Sequence, residues 1–197
     1  CLDFLINKIS SGQAVNDLNW LRLRNWRETL AMVFDPPLRR LALENITNID
    51  IDFEGDNPVQ ALLMAAWIAD RLNWTLELSE QVNKENFYGK FRRANGGVTS
   101  INLVPLPVGI PSIHPGQIIG MRIICKPSSH PEGDLCVILA SKSGECMRLE
   151  SGGMANMELL EEVVPIQKNS VEMDVARLLS SSRGTTSPLL SSAAPIA

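Results

Sequence analysis

The first third of the chain places its apolar residues at the three-to-four-residue spacing of α-helices. Residues 2–9 predict a short helix that ends at a Ser-Ser-Gly sequence. A second helix is expected to begin near Asp17, an acceptable N-cap, and to end at Asp35, because a residue before proline is pushed out of the helical region. A short helix over 38–45 follows. The apolar stripe of the second helix is Leu23, Trp26, Leu30 and Val33.

The apolar period then changes to two. Ile49, Ile51 and Phe53 point to one side, and the polar residues between them point to the other, which predicts a half-buried strand. A helix begins after Asn57, with Asn as a cap and Pro at the first helical position. Nine successive apolar residues, 61–69, leave this helix little polar face. We therefore expect it to be the buried central helix.

From Thr75 onward the pattern is typical of β-strands. Short connections favour antiparallel hairpins. A final helical or mixed segment is expected over 157–179. Residues 180–197 hold eight Ser or Thr and two prolines without periodicity, which predicts a disordered tail. The predicted strands cover 75–79, 87–94, 98–104, 117–126, 134–141 and 145–150.

These elements predict an α+β fold, with a mostly antiparallel sheet, helices packed on it and a disordered Ser/Thr-rich C-terminal tail. The α+β domain is expected at residues 17–179 and the flexible tail at 180–197. Because the chain opens on Cys1 rather than Met, we expect residues 1–16 to be the flank of a preceding region. A chain of 197 residues buries enough surface to hold a core without disulfides or metals.

Composition excludes several classes of partner. The chain has 18 basic and 22 acidic residues, a formal charge of −4, so it lacks the basic excess of a dedicated nucleic-acid-binding protein. Its longest apolar run is nine residues, against about 20 for a membrane span. We therefore expect neither nucleic acid nor a membrane as partner. With four cysteines and no secretory segment, a cytoplasmic location with reduced thiols is predicted.

The usual catalytic signatures are absent from the sequence. There is no nucleophile elbow, no Walker A sequence and no dinucleotide-binding glycine motif. The two histidines, His114 and His130, each lie beside a proline in a predicted loop. We therefore predict that the chain is not an enzyme and uses no cofactor.

Two groups of residues carry ligand types for metal ions. The first is a set of four acidic residues in and after one predicted strand, which offers oxygen ligands for Mg²⁺. Their alternating spacing suits the solvated face of a strand at least as well as a metal site. The second lacks a close C-x2-C pair, which zinc sites usually have. No metal site is therefore expected. The two groups are Asp50, Asp52, Glu54 and Asp56, and Cys125, His130, Cys136 and Cys146.

Cys125 and Cys136 lie on the two strands of a predicted hairpin. If the hairpin is symmetric about its Ser-Ser-His-Pro loop, the two cysteines face each other. Directly opposed residues have Cβ atoms about 4.5–5.5 Å apart, which is near the reach of a disulfide. A one-residue slip in register would destroy this pairing. The alternative is that both thiols are small core residues.

Two tryptophan-bearing stretches and the polar tail resemble a known family. The resemblance runs from Asp17 to Ala197 and is to the C-terminal portion of the OpcA family, cyanobacterial type, the glucose-6-phosphate dehydrogenase assembly proteins. The stretches are Asp-Leu-Asn-Trp-Leu-Arg-Leu at 17–23 with Trp-Arg-Glu at 26–28, Asn-Pro-Val-Gln-Ala-Leu-Leu at 57–63 with Ala-Trp-Ile-Ala at 66–69, and Ser-Ser-Ser-Arg-Gly-Thr-Thr-Ser-Pro-Leu-Leu at 180–190.

The resemblance implies a non-catalytic protein that binds glucose-6-phosphate dehydrogenase and raises its activity, at the entry to the oxidative pentose phosphate pathway. It also implies redox control with thioredoxin as a further partner, for which Cys125 and Cys136 are the candidate thiols. Of the tryptophans in these stretches, Trp26 and Trp67 fit the core better than an interface. The alternative hypothesis is an enzyme that binds or modifies sugar phosphates at a site without a sequence signature. Candidate contacts to the dehydrogenase lie in the tail: Ser181, Arg183, Thr185 and Thr186.

Overall fold

The computed structural model combines helices with one large sheet. It describes residues 2–13, 15–81, 86–107, 115–126, 135–142, 146–152, 160–165, 171–181 and 187–193. These residues form seven α-helices: α1 (Leu2–Ser10), α2 (Leu18–Arg22), α3 (Arg24–Phe34), α4 (Pro37–Ala42), α5 (Val59–Arg71), α6 (Val171–Ser181) and α7 (Pro188–Ala193). They also form eight strands: β1 (Ile46–Glu54), β2 (Thr75–Gln81), β3 (Phe87–Arg92), β4 (Val98–Leu106), β5 (Ile118–Cys125), β6 (Leu135–Lys142), β7 (Cys146–Gly152) and β8 (Leu160–Pro165).

The predicted second helix is divided into α2 and α3 at Leu23, whose φ of −84° and ψ of 4° interrupt the helical backbone. Asp17 caps α2, because its Oδ1 accepts the backbone N–H of Asn19 at 2.9 Å. On α3, Arg24 forms an ion pair with Glu28, one turn further along, at 2.7 Å. The apolar stripe is confirmed as core: Leu23, Trp26, Leu30 and Val33 are at most 7% exposed.

The sheet has the strand order β2-β3-β4-β1-β5-β6-β7-β8. Every neighbouring pair is antiparallel except β1 and β4, which run parallel because α5 and the hairpin of β2 and β3 lie between them in the chain. The α+β class with a mostly antiparallel sheet is therefore confirmed. Strand β1 is central, and its inward residues Ile49, Ile51 and Phe53 are fully buried.

Helix α5 packs on the sheet and is the buried central helix that the apolar run predicts. Asn57 Oδ1 accepts the backbone N–H of Val59 at 3.3 Å at the start of the helix. Eight of its thirteen residues are buried, among them Met64 and Ala66. In the part of the chain that the structure describes, no helix is both long and apolar enough to cross a membrane.

The two faces of the sheet differ in their surroundings. The face that the helices cover carries many side chains that are at most 3% exposed, among them Ile49, Ile51, Phe53, Ile101, Leu103, Met121, Ile123, Val137, Leu139 and Met147. We call the other side the open face, because the described side chains on it are half-buried or exposed. Strand register places on it Tyr88, Lys90, Ser100, Asn102, Asn48, Asp50, Asp52, Arg122, Ile124, Cys136, Ile138, Arg148 and Val163.

The C-terminal part of the chain differs from the prediction in two places. Residues 160–165 form β8, where a helical or mixed segment was expected, because they complete the sheet beside β7. Residues 188–193 form α7 rather than a disordered tail, because Leu189 and Leu190 supply enough apolar surface to pack this helix against α5. Residues 182–186 and 194–197 of the predicted tail lie outside the described residues.

Candidate functional site

A polar network occupies the centre of the open face and is organised around Asp50. Its Oδ1 accepts hydrogen bonds from the side-chain amides of Asn102 at 2.6 Å and Asn48 at 2.9 Å. Its Oδ2 accepts the Nε–H of Arg122 at 3.0 Å, and Arg122 Nη2 forms a second bond to the same oxygen. Strand pairing explains the convergence, because Asp50 lies opposite Asn102 on β4 and opposite Arg122 on β5.

The two carboxylates of this network have opposite electrostatic surroundings. Burial alone would raise the pKa of Asp50, but hydrogen bonds from Asn102, Asn48 and Arg122 outweigh it and lower this pKa. Burial, followed by the charge of Asp50, raises the pKa of Asp52. Asp52 lies opposite Gly120, where a Cβ atom would come within 3.2 Å of Asp52 Oδ2. Asp50 and Arg122 thus neutralise each other. The charge of Asp52, beside them, is only weakly compensated by its neighbours.

The structure places the acidic residues of β1 in different surroundings. Asp50 is committed to Arg122 and to two amides, and Glu54 is buried near the end of the strand. Among the described residues, no group of three or more His, Cys, Asp or Glu side chains is arranged to hold a metal ion. His114 and His130 lie outside the described residues.

The predicted pairing of Cys125 with Cys136 is wrong. In the hairpin of β5 and β6, Cys125 pairs with Leu135 and Ile124 pairs with Cys136, so the register is displaced by one residue. Because successive side chains on a strand point to opposite faces, the two thiols lie on opposite sides of the sheet. Both are free cysteines. Burial in the core raises the pKa of Cys125 to about 12, which disfavours the reactive thiolate.

The tryptophan stretches meet in a cation–π cluster within the helical layer, which the sequence did not predict. The guanidinium carbon of Arg27 lies 3.3 Å from the centroid of the Trp20 ring and 5.9 Å from that of Trp67. Arg27 also donates to the backbone carbonyl of Trp20 at 2.6 Å, and burial lowers its pKa to about 10. These contacts join α2, α3 and α5, so the stretches stabilise the fold.

A cleft of about 310 Å³ opens between α3 and α5. Its floor is formed by Ile46 and Ile123, and Arg40 and Arg71 lie among its polar lining residues. None of the described residues that line it is a Ser, Cys, His or Lys. The cleft therefore supplies apolar surface and charge without a nucleophile.

Helix α6 carries an unusually apolar exposed surface. Met173, Val175 and Leu179 are 54%, 38% and 73% exposed. The helix ends at Ser181, one of the four predicted contact residues. The other three, Arg183, Thr185 and Thr186, lie outside the described residues.

Comparison with known proteins gives the family of the chain. Residues 13–194 match the family described as the C-terminal domain of the glucose-6-phosphate dehydrogenase subunit. The chain belongs to this family. The resemblance that the tryptophan stretches and the tail indicate is thereby confirmed.

Curated relatives from cyanobacteria carry the name OxPP cycle protein OpcA. The protein of Synechococcus elongatus is 37% identical over 161 residues, which cover 80% of this chain and 35% of the relative. The protein of Synechocystis sp. is 33% identical over 178 residues, which cover 89% of this chain and 37% of the relative. The chain thus spans about a third of the length of these relatives.

Two solved structures that share the fold are those of a ketoreductase. A mutant of KijD10, a 3-ketoreductase from Actinomadura kijaniata in complex with TDP-benzene and NADP, aligns with a TM-score of 0.55 at 9% identity. The alignment covers 96% of this chain and 61% of the reductase. A second KijD10 structure gives a TM-score of 0.53 at 7% identity, over 93% of this chain and 59% of the reductase. At such low identity the likeness concerns the fold alone.

Proposed function

We propose that this chain binds glucose-6-phosphate dehydrogenase and raises its activity, as a non-catalytic activator at the entry to the oxidative pentose phosphate pathway. The observation that carries the proposal is the family match over residues 13–194. The names of the cyanobacterial relatives, which refer to the OxPP cycle, support the same pathway.

The chemistry of the described residues supports binding over catalysis. The carboxylate with the most contacts, Asp50, is neutralised by Arg122 and has a lowered pKa, so it is a poor general acid or base near neutral pH. The buried Cys125 has a raised pKa and is a poor nucleophile. The cleft between α3 and α5 has no nucleophile among its described lining residues.

Activation needs only a small difference between the binding free energies for the two forms of the dehydrogenase. The chain must bind the more active form of the dehydrogenase more tightly than the less active form, since equal affinity shifts no equilibrium. A tenfold change in apparent substrate affinity corresponds to about 1.4 kcal/mol of coupling. One or two well-packed side chains at a protein interface supply that much.

The surface that we assign to the dehydrogenase is α6 with the tail that follows it. Val175 and Leu179, about one helical turn apart, expose apolar surface on the same side of α6, and Met173 is exposed on another side. Adjacent exposed apolar groups such as Val175 and Leu179 are typical of sites of protein association. The helix leads directly into the candidate contacts at 181–186, which carry hydroxyl groups and Arg183.

Size-exclusion chromatography with the dehydrogenase of Synechococcus elongatus, in reducing buffer, tests this proposal. The parent chain is expected to co-elute with the enzyme, and Leu179→Asp is expected to abolish co-elution. Leu41→Asp is the matched control, because Leu41 is 65% exposed on α4. Failure of the parent chain to co-elute would contradict the function. Co-elution of Leu179→Asp would leave the function standing and contradict the surface.

A further inference from the structure

A second cleft, of about 350 Å³, opens at the end of helix α5, beside the turn that joins β3 to β4. Apolar side chains line one part of it, and a carboxylate, an amide and a guanidinium line the other. Its size, and the small number of polar groups beside apolar ones, are typical of sites that bind small molecules. The side chains considered below are the apolar Leu43, Leu72 and Trp74 and the polar Glu44, Arg93 and Asn95.

Arg93 brings a positive charge to this cleft that no carboxylate of the described residues balances. Within that part of the chain it forms no ion pair, and its side chain makes one hydrogen bond, from Nη1 to the backbone carbonyl of Ile46 at 2.5 Å. A guanidinium has several further N–H donors, and here Nε is buried without an acceptor. Burial lowers the pKa of Arg93, because the charge is partly removed from water. An anion in the cleft would supply both a counter-charge and acceptors.

Local hydrogen bonds hold the polar wall of the cleft in place. Asn95 Nδ2 donates to the backbone carbonyl of Glu44 at 2.7 Å, and Asn95 Oδ1 accepts the backbone N–H of Gly97 at 3.0 Å. The guanidinium of Arg93 lies over Gly97, where a Cβ atom would overlap Nη2. These contacts join the turn between β3 and β4 to the short 3-10 helix Leu43–Asn45. The wall therefore needs little ordering when a ligand binds, which favours affinity.

The apolar wall is fixed by the end of α5. Asn73 has a φ of 53°, and the backbone N–H groups of Asn73 and Trp74 donate to the carbonyls of Asp70 at 3.1 Å and Ala69 at 2.8 Å. This is the Schellman arrangement that closes many helices. It turns the chain so that Trp74 lines the cleft, where its ring also contacts Phe91 with the centroids 6.4 Å apart. An indole held in this way offers a flat apolar surface to a ligand.

We propose that this cleft binds a small organic carboxylate, whose anionic group pairs with Arg93 and whose apolar body packs on Trp74 and Leu72. A planar guanidinium matches a carboxylate through two parallel hydrogen bonds. Glu44 lines the same cleft, and its carboxylate disfavours ligands with two negative charges, such as phosphate monoesters. The inference does not depend on the proposed function, because it concerns residues other than α6 and the tail.

Isothermal titration calorimetry with 3-phenylpropionate tests this site, because the probe joins one carboxylate to an apolar ring. The parent chain is expected to bind it with a dissociation constant of about 1 mM or lower, which is the affinity that about eleven non-hydrogen atoms allow. Two probes with a similar ring serve as comparisons. 3-Phenylpropionamide, which lacks the charge, and phenyl phosphate, which carries more of it, should each bind about tenfold more weakly or worse.

Arg93→Gln is expected to weaken the binding of 3-phenylpropionate by about tenfold or more, because it removes the counter-charge. Arg92→Gln is the matched control: it removes the same charge from the preceding residue, whose exposed side chain pairs with Glu77. We expect it to change the affinity by less than about twofold. Circular dichroism shows whether both variants fold.

Nuclear magnetic resonance of the parent chain locates the probe even if Arg93→Gln does not fold. The indole N–H signal of Trp74, assigned by its loss in Trp74→Phe, is expected to shift with 3-phenylpropionate, whereas that of Trp20 is not. A parent chain that does not bind the probe, or binds its amide or phenyl phosphate as tightly, would overturn the proposal. So would unchanged affinity in a folded Arg93→Gln, or an unchanged Trp74 signal when the probe is bound.

Discussion

Among the described residues of the open face, Asp50 forms the most side-chain hydrogen bonds. The sequence indicates only part of this arrangement. The alternation of β1 predicts that its carboxylate leaves the core. It does not indicate that Asn102 and Arg122, more than fifty residues away in the chain, converge on it. That convergence depends on the register of three strands, which no local pattern determines.

We expect Asp50→Asn to destabilise the protein by about 1–2 kcal/mol at neutral pH, because it removes a charge-assisted network. The folded pKa of Asp50 lies below its unfolded value, so its stabilisation is complete above about pH 4 and is lost as pH falls through the folded pKa. Urea unfolding of parent and variant at neutral and acidic pH measures this.

Asp35→Asn is the control for Asp50→Asn, because its ion pair with Arg40 is exposed on both sides. It should change stability by less than about 0.5 kcal/mol. If the loss of unfolding free energy in Asp50→Asn does not become smaller in acid, the stabilising role that we assign to the ionised Asp50 carboxylate is contradicted.

A one-residue difference in strand register decides whether Cys125 and Cys136 lie close enough to form a disulfide. A symmetric loop puts Cys125 opposite Cys136, whereas the observed register pairs Cys125 with Leu135. The length of a loop between two strands does not by itself fix the register, because a bulge or an asymmetric turn displaces every side chain to the other face.

Oxidation of the folded chain is therefore expected to form no disulfide between Cys125 and Cys136. Cys125 is buried with a pKa of about 12, so it should resist alkylation until the protein unfolds. Peptide mapping of the oxidised chain detects any disulfide between the two cysteines. Peptide mapping after alkylation, with and without urea, measures how accessible Cys125 is. Recovery of a peptide that links Cys125 to Cys136 would show that the register is wrong.

Among the secondary-structure elements, the sequence predicts those with long periodic patterns and misses those whose stability depends on distant partners. Helix α5 is evident from nine consecutive apolar residues. Helix α7 is not, because its six residues include two serines, and its position depends on Leu189 and Leu190 packing against α5. Strand β8 is likewise specified by the neighbouring strand β7.

Leu189→Ala is expected to destabilise the protein by about 2–4 kcal/mol, because Leu189 is fully buried and the change leaves a cavity. Leu179→Ala makes the same change at a position that is 73% exposed, so it should alter stability by less than about 0.5 kcal/mol. Thermal or urea unfolding of both variants gives the comparison. If Leu189→Ala and Leu179→Ala have the same free energy of unfolding, α7 is not packed against the core in solution.

For the molecule as a whole, sequence and structure contribute different parts of the interpretation. The tryptophan stretches identify the family, yet Trp20 and Trp67 contact Arg27 inside the helical layer, so recognition of the family does not locate a binding surface. The surface that we assign to the dehydrogenase, α6, emerges only once exposed side chains such as Leu179 are placed in the fold.

The initial rate of glucose-6-phosphate dehydrogenase at subsaturating glucose 6-phosphate, with increasing amounts of the chain, measures activation directly. We expect the rate to rise severalfold and to saturate with the parent chain, to stay at its basal value with Leu179→Asp, and to be zero with the chain alone. An unchanged rate at concentrations where the two proteins co-elute would contradict activation, and turnover of glucose 6-phosphate by the chain alone would contradict a non-catalytic role.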